Sequence, residues 1–183
     1  MNRRSITPSI VAAFMILIAT RAAAHDPPVD GCSASSVDVS RELALMRSPA
    51  ITVTAVPGHG SKMPVLVLDK HYAISLIAQK DVEFRVKPGH AARKNSSRGG
   101  ILRLEVPSAG RYRISITSRH WIDVLDGESL VASAAHHGPE CELLHKVVEF
   151  DLPTGRPLTL QLSGRDDAIV GLAITTSPAA VTR

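Results

Sequence analysis

The sequence predicts an all-β protein: an antiparallel, jelly-roll-like β-sandwich with one short N-terminal helix, preceded by a signal peptide. Short apolar runs with a period of two recur along most of the chain. Residues that favour turns, chiefly Gly, Pro and Asp, separate these runs. No strands alternate with long helical segments, which argues against a parallel sheet. Aromatic residues make up 3% of the chain, so we expect an aliphatic core.

The N-terminal segment, residues 1–24, has the order of parts of a secretory signal. Arg3 and Arg4 supply a positive start, residues 10–20 form an uncharged apolar run, and three alanines at 22–24 suit a signal peptidase. The run is shorter than the roughly 20 apolar residues of a spanning helix. We therefore expect cleavage, no stable membrane span afterwards, and a mature protein in the periplasm or secreted. The alternative is an uncleaved membrane anchor.

Charge argues against a nucleic-acid partner. The chain has 21 Lys and Arg against 17 Asp and Glu, but three of the arginines lie in residues 1–24, which leaves 18 against 17. A local basic stretch at residues 90–98 contains no aromatic side chain and reads as a solvated loop. We therefore expect no nucleic-acid binding.

Residues 25–48 are predicted to be an N-terminal lead-in followed by the short helix. The helix is expected over residues 37–47, where leucine and methionine fall at helical spacing. Asp38 or Ser40 could cap it. Pro49 should end it, because the residue before a proline avoids the helical region.

The sandwich is predicted over residues 49–176, and residues 177–183 are expected to be a disordered tail. Asp126-Gly127 between two apolar runs is a strong hairpin signal. The predicted strands cover residues 51–55, 65–68, 73–78, 82–86, 101–106, 112–116, 121–125, 129–132, 147–152, 158–162 and 169–174.

The two cysteines, Cys32 and Cys141, are expected to form a disulfide bond. An exported protein meets an oxidising compartment in which paired thiols persist as disulfides. Such a bond would tie the lead-in to the distal half of the chain. The alternatives are two unpaired thiols or a metal-ligand role for Cys141.

Four segments together resemble a family of small exported proteins of alphaproteobacteria and their relatives, whose members often carry the label homogentisate 1,2-dioxygenase. The segments are DVSRELALM at 38–46, AGRYRISI at 109–116, HWIDVLDG at 120–127 and CELLHKVVEFDLPTGRPLTLQLSG at 141–164. The label implies a ring-cleaving oxygenase that binds Fe(II) through two His and one Glu. Genuine homogentisate dioxygenases are much longer.

One iron-ligand motif of those dioxygenases, His-Gly-Pro-Asp, is similar to the stretch from His137 to Glu140, in which Glu replaces Asp. The resemblance therefore implies a ligand role for His137 alone. The second motif, a His followed six positions later by Glu, is not clearly present. His120 and Asp126 have that spacing, but the acid differs and the hairpin explains Asp126 better.

The densest group of ligand-type side chains forms the candidate metal site: His136, His137, Glu140, Glu142 and His145. A metal site needs several such donors at one point. In a strand, His136 and His137 would point to opposite faces, so only one could join a given site unless the backbone turns. The alternative is a polar loop between two strands, anchored by the disulfide bond.

A second set of candidates, His120, Trp121 and Asp123, is proposed as a ligand-binding surface. Trp121 could stack on a sugar or an aromatic ligand, but it could equally fill the core, and we favour the core. Asp123 shares a face with Trp121 in an extended strand. His120 and Asp123 are expected at the surface.

These observations favour a periplasmic binding or accessory module that recognises a small molecule, a glycan or an envelope protein without turnover and without a cofactor. One alternative is the Fe(II)-dependent, homogentisate dioxygenase-like oxygenase, and a second is a structural envelope protein. Fold alone does not decide among them. No catalytic residue is predicted, since no nucleophile motif of the Gly-x-Ser-x-Gly kind is present.

Overall fold

The computed structural model describes residues 32, 37–58, 62–89, 95–139 and 141–178. These residues contain one α-helix, α1 (Ser40–Met46), and twelve strands. The strands are β1 (Ile51–Thr54), β2 (Val65–Leu66), β3 (His71–Ser75), β4 (Ile77–Ala78), β5 (Arg98–Leu104), β6 (Gly110–Ile116), β7 (Trp121–Asp126), β8 (Ser129–Val131), β9 (Ser133–His137), β10 (Lys146–Leu152), β11 (Leu158–Arg165) and β12 (Ile169–Thr176). The all-β prediction is confirmed. The predicted signal peptide and residues 179–183 lie outside the described residues.

The strands form two six-stranded sheets. Sheet A has the order β1-β3-β12-β6-β10-β9, and sheet B has the order β2-β5-β11-β7-β8, with β4 also paired to β5. The prediction of antiparallel sheets is wrong at two margins, because β1 pairs with β3 and β2 pairs with β5 in parallel. Parallel pairing requires a crossover connection. Between β1 and β3 the chain enters sheet B as β2 and then returns, and this supplies the crossover.

The main core lies between the inner faces of the two sheets and is largely aliphatic, as the composition predicts. Leu158, Leu160 and Leu162 of β11 all point inward and are at most 1% exposed. Two of the few aromatic side chains, Tyr112 and Phe150, fill the same core. The period of two in the apolar residues therefore arises because alternate side chains of a strand face the opposite sheet.

Residues 82–86 alternate like a strand but are not one. The segment instead crosses the outer face of sheet B, where the Gln161 side chain holds it. The backbone N–H of Arg85 donates to Gln161 Oε1 (3.0 Å), and Gln161 Nε2 donates to the carbonyl of Val86 (3.1 Å). One side of the segment is covered by the sheet and the other faces solvent, so alternation here does not require ladder pairing.

The chain around α1 covers part of the outer face of sheet A and forms a second, smaller core. Leu43 and Met46 pack there with Val147 and Ala173 of the sheet. The predicted disulfide bond between Cys32 and Cys141 is present, with the Cα atoms 5.1 Å apart. It holds Cys32 in the smaller core that covers part of the outer face of sheet A.

The helix is shorter than predicted at its start. Asp38 Oδ1 accepts hydrogen bonds from the backbone N–H of Ser40 (2.9 Å) and from its hydroxyl, so Asp38 forms a turn ahead of the helix instead of capping it. The helix ends at Met46, before Pro49, as predicted. Within the described parts of the chain, no helix is long and apolar enough to cross a membrane.

The hairpin predicted at Asp126-Gly127 is confirmed. It joins β7 to β8, and Gly127 has a φ of 63°, a backbone conformation that glycine adopts readily.

Candidate functional site

The centre of the outer face of sheet A carries a buried ion pair. Inward residues of β6 enter the core, so the alternate positions Arg111 and Arg113 point outward. Arg113 lies opposite Glu149 of β10, and its Nε donates to Glu149 Oε1 at 2.9 Å. The two side chains are only 7% and 8% exposed. One step along the same strands, Arg111 forms a two-point ion pair with Asp151 that stays largely in solvent.

The helix adds a second carboxylate to this pair. Glu42 of α1 is 1% exposed, and its Oε1 accepts a hydrogen bond from the Thr175 hydroxyl (2.6 Å) and lies 3.7 Å from Arg113 Nη1. Arg113 Nη1 also donates to the carbonyl of Asp38 (2.8 Å). We call Glu42, Arg113, Glu149 and Thr175 the outer cluster. Glu42 Oε2 is buried without a hydrogen-bond partner among the described atoms.

A depression of about 590 Å³ opens beside the outer cluster, and we call it the outer depression. His137, on edge strand β9, borders it with Nε2 3.6 Å from Glu149 Oε1. On the other side, the Ser177 hydroxyl donates to the same oxygen at 3.1 Å. Ser177 is the first residue of the predicted tail, and its backbone N–H also donates to the carbonyl of Arg111 (2.9 Å). Glu149 thus meets a guanidinium, an imidazole and a hydroxyl at one oxygen.

Glu149 remains ionised in this setting. Burial tends to raise the pKa of its carboxyl, but the hydrogen bonds from Arg113 and Ser177, together with the Arg113 charge, outweigh burial and lower the pKa. A fixed negative charge therefore lies beside His137 at the wall of an open depression.

The structure places one of the five predicted metal ligands, His137, at this depression. His136 and His137 do point to opposite faces, because His137 pairs with outward Val147 and His136 with inward Val148. Burial, with the nearby charge of Lys146, lowers the pKa of His136. His136 and His137 belong to edge strand β9, which pairs with β10. The described residues between these two strands, 138, 139 and 141–145, form a turn that the disulfide bond of Cys141 anchors, as the alternative interpretation expected.

The other predicted ligands do not gather around His137. Glu142 is exposed in a turn closed by the Cys141–Leu144 bridge, and His145 is half-buried with its backbone N–H bonded to Ile116. Cys141 is bound in the disulfide. Glu140 lies outside the described residues. Across the described segments no three His, Cys, Asp or Glu side chains converge as a metal site, so the donor set of two His and one Glu is not assembled there.

The prediction that His120 lies at the surface is wrong. Its side chain is 0% exposed, and burial lowers the pKa of the imidazole, which is therefore neutral. Ser118 Oγ lies 2.8 Å from His120 Nδ1, and Asp167 Oδ2 lies 3.8 Å from the same nitrogen. A catalytic triad needs the serine and the acid on opposite ring nitrogens. This Ser-His-Asp group therefore lacks nucleophile geometry.

Asp123 is also buried, at 5% exposure, so its predicted surface position is wrong as well. It does share a face with Trp121, whose Nε1 donates to Asp123 Oδ1 at 2.8 Å. That face is the outer face of sheet B, so the expected core position of Trp121 is wrong too. Gly89 packs on the indole, since a Cβ there would lie 2.4 Å from Nε1, and Lys146 Nζ lies 5.6 Å from the ring centroid. The ligand-binding role of His120, Trp121 and Asp123 remains a prediction.

Sequence analysis missed Glu42, Arg113 and Glu149. A signal was present: arginines at 111 and 113 and acids at 149 and 151 occur at the same spacing, and all but Arg111, which directly precedes its strand, lie in predicted strands. Opposite charges directly across a strand pair stabilise each other. The match becomes informative only when β6 and β10 are known to be neighbours.

Comparison of the chain with protein-family models, with curated proteins and with solved structures finds no match. Function must therefore be inferred from the arrangement of the residues.

Proposed function

We propose that the protein is an exported β-sandwich module that binds a ligand or partner in the outer depression without chemical turnover. The observation that carries this proposal is the outer depression itself, in which His137, Ser177 and ionised Glu149 border an open volume. These groups supply hydrogen-bond donors and acceptors together with charge, as binding clefts do. Export is proposed from the leader-like N-terminus and is supported by the disulfide bond.

Binding fits the geometry better than catalysis. The charged groups are already engaged with one another, and Arg113 and Glu149 are held across two central strands of sheet A. Such a rigid arrangement preorganises contacts and reduces the entropy lost on binding. Arg111 at the rim is half-exposed although Asp151 engages its Nε and Nη2, and its positive charge would attract an anionic group. The ligand class that these groups suit is a small polar molecule, such as an acidic sugar.

Binding can be tested by NMR titration of the ¹⁵N-labelled mature protein with glucuronate, and with glucose as the neutral comparison. We expect saturable shifts at His137, Ser177 and their neighbours with glucuronate and weaker ones with glucose. His137→Gln should reduce the affinity, whereas Ser129→Ala on exposed β8 should not. Shifts that avoid the depression, or that persist in His137→Gln, would contradict the proposed site.

Export can be tested separately with a reporter that is active only in an oxidising compartment, such as alkaline phosphatase, fused after residue 30. Activity is expected with the natural leader and should disappear when residues 10–20 are deleted. A fusion that stays inactive would contradict export without bearing on the depression. The alternatives are a dioxygenase-like oxygenase and a structural envelope protein. The iron content of the purified protein distinguishes the oxygenase from the binding module.

A further inference from the structure

A second depression lies on the opposite side of the molecule, at the outer face of sheet B, and we call it the arginine depression. The segment that crosses this face over Gln161 leaves an open volume of about 370 Å³ between itself and the sheet margin. Arg85 of the crossing segment and Arg103 of β5 both line it. Thr159 lies directly across the strand pair from Arg103, and Gly127 of the β7–β8 turn closes one end.

Among the described residues no carboxylate lines the arginine depression, whereas two guanidinium groups do, so its lining is positively charged. Each guanidinium has an acidic neighbour outside the lining. Arg103 Nη2 lies 2.8 Å from Glu105 Oε1, and Arg85 Nη1 lies 3.6 Å from Glu128 Oε1. These carboxylates are 46% and 86% exposed, so water and salt screen their charges. Both positive charges therefore remain available to a ligand.

Arg103 presents only part of its guanidinium to this depression. Its side chain is 35% exposed, and its Nη2 is engaged with Glu105. Its Nε is buried and has no hydrogen-bond acceptor among the described atoms, so an anion in the depression would meet the exposed part of the guanidinium and not Nε. Arg103 therefore contributes positive charge and exposed N–H donors to the depression.

We infer that the arginine depression binds a small dianionic oxyanion, a phosphate or sulfate group. Guanidinium groups recognise such groups through paired, charge-assisted hydrogen bonds. Two arginines match the two charges of the anion, and Thr159, which also lines the depression, carries a hydroxyl donor. Met63 and Pro157 supply the apolar walls. This site lies on the other sheet from the outer depression, so it does not depend on the proposed function.

The test is a titration of the folded mature protein with inorganic phosphate and with sulfate at constant ionic strength, followed by NMR shifts or calorimetry. Saturable binding is expected, with acetate weaker because it carries one charge. Arg85→Ala should raise the dissociation constant at least about tenfold. It should not disturb the fold, because only the backbone of Arg85 bonds to Gln161. Arg103→Lys keeps the charge but replaces the planar guanidinium by a single ammonium group, and it should also weaken binding.

Lys87→Ala is the matched control. It removes one positive charge from the same crossing segment at an exposed position that does not line the depression. It should change the dissociation constant by less than about twofold. Tighter binding of glucose 6-phosphate than of inorganic phosphate would assign the anion to a sugar ester, and the reverse order to free phosphate. The inference is overturned if phosphate and sulfate fail to saturate, or if Lys87→Ala weakens binding as much as Arg85→Ala does.

Discussion

Replacement of Arg113 by methionine should destabilise the protein strongly. The substitution preserves much of the side-chain volume but removes the guanidinium that faces two buried carboxylates. Glu42 and Glu149 are 1% and 6% exposed, and both lie within 4 Å of Arg113. Loss of one partner from a buried ion pair typically costs about 3–5 kcal/mol, because the remaining charge is left uncompensated in a poorly solvated place. The backbone carbonyl of Asp38 also loses its donor.

The loss in the free energy of unfolding caused by Arg113→Met can be measured by urea unfolding of the disulfide-intact protein. With a slope of roughly 2 kcal/mol per molar urea for a small domain, a loss of about 4 kcal/mol lowers the midpoint by about 2 M. The free energy of unfolding of a small domain is roughly 5–15 kcal/mol in total, so the Arg113→Met variant should still fold at low urea concentration. The slope itself should not change, because the surface exposed on unfolding is the same.

The neighbouring pair, Arg111 with Asp151, supplies a control of the same chemistry. It joins the same two strands at the next outward position, but its side chains are 49% and 64% exposed. Exposed ion pairs contribute about 0–1 kcal/mol, so Arg111→Met should lower the midpoint by at most about 0.5 M. Equal effects of the two substitutions would refute the argument that burial, and not pairing alone, makes Arg113 important.

Three further predictions follow from the structure. Cys32→Ser with Cys141→Ser opens a loop spanning 109 residues and should lower the free energy of unfolding by about 5 kcal/mol on the chain-entropy model; a loss below about 1 kcal/mol would contradict it. The pKa of buried His120 lies below the ordinary 6.5, so the unfolded state takes up the proton first. The free energy of unfolding should therefore fall as pH drops below about 6.5, and His120→Asn should flatten that slope in urea midpoints at pH 7 and 5.5. Protein recovered from the periplasm should contain far less than equimolar iron by elemental analysis, whereas an equimolar amount would favour the dioxygenase-like reading.

Most strands could be predicted from the sequence because each buries one face. The run around Leu160 alternates strictly, and the strand there continues to Arg165. Edge strand β9, with the sequence SAAHH, has no apolar alternation, so the pattern gave no reason to expect it. It forms because β10 offers backbone partners along its free edge. Backbone pairing is independent of side-chain type, and a method based on apolar periodicity does not register it.

The site was harder to predict because its residues come from distant parts of the chain. His137 was identified as a candidate, but its neighbour proved to be Glu149, not the acids that follow it in sequence. Glu42 is brought in by the helix, which covers a face of sheet A that the sequence pattern did not assign to burial. His120 was expected at the surface, yet its side chain is fully buried beside Ser118 and Asp167. Local patterns predict which residues alternate, whereas contacts between layers depend on topology.

The outer cluster offers a way to separate stability from binding. Well-packed apolar groups can replace a buried ion pair with little or no loss of stability, even though removal of one partner is costly. The triple variant Arg113→Met, Glu149→Leu and Glu42→Gln should therefore unfold near the wild-type midpoint, well above Arg113→Met alone. The same variant removes the Arg113 guanidinium and the Glu149 acceptor from the lining of the outer depression, so glucuronate shifts there should be lost. If the triple variant is stable and still binds glucuronate, the buried charges are needed neither for stability nor for binding. If it is stable and no longer binds, the ion pair is retained for recognition, since the fold does not require it.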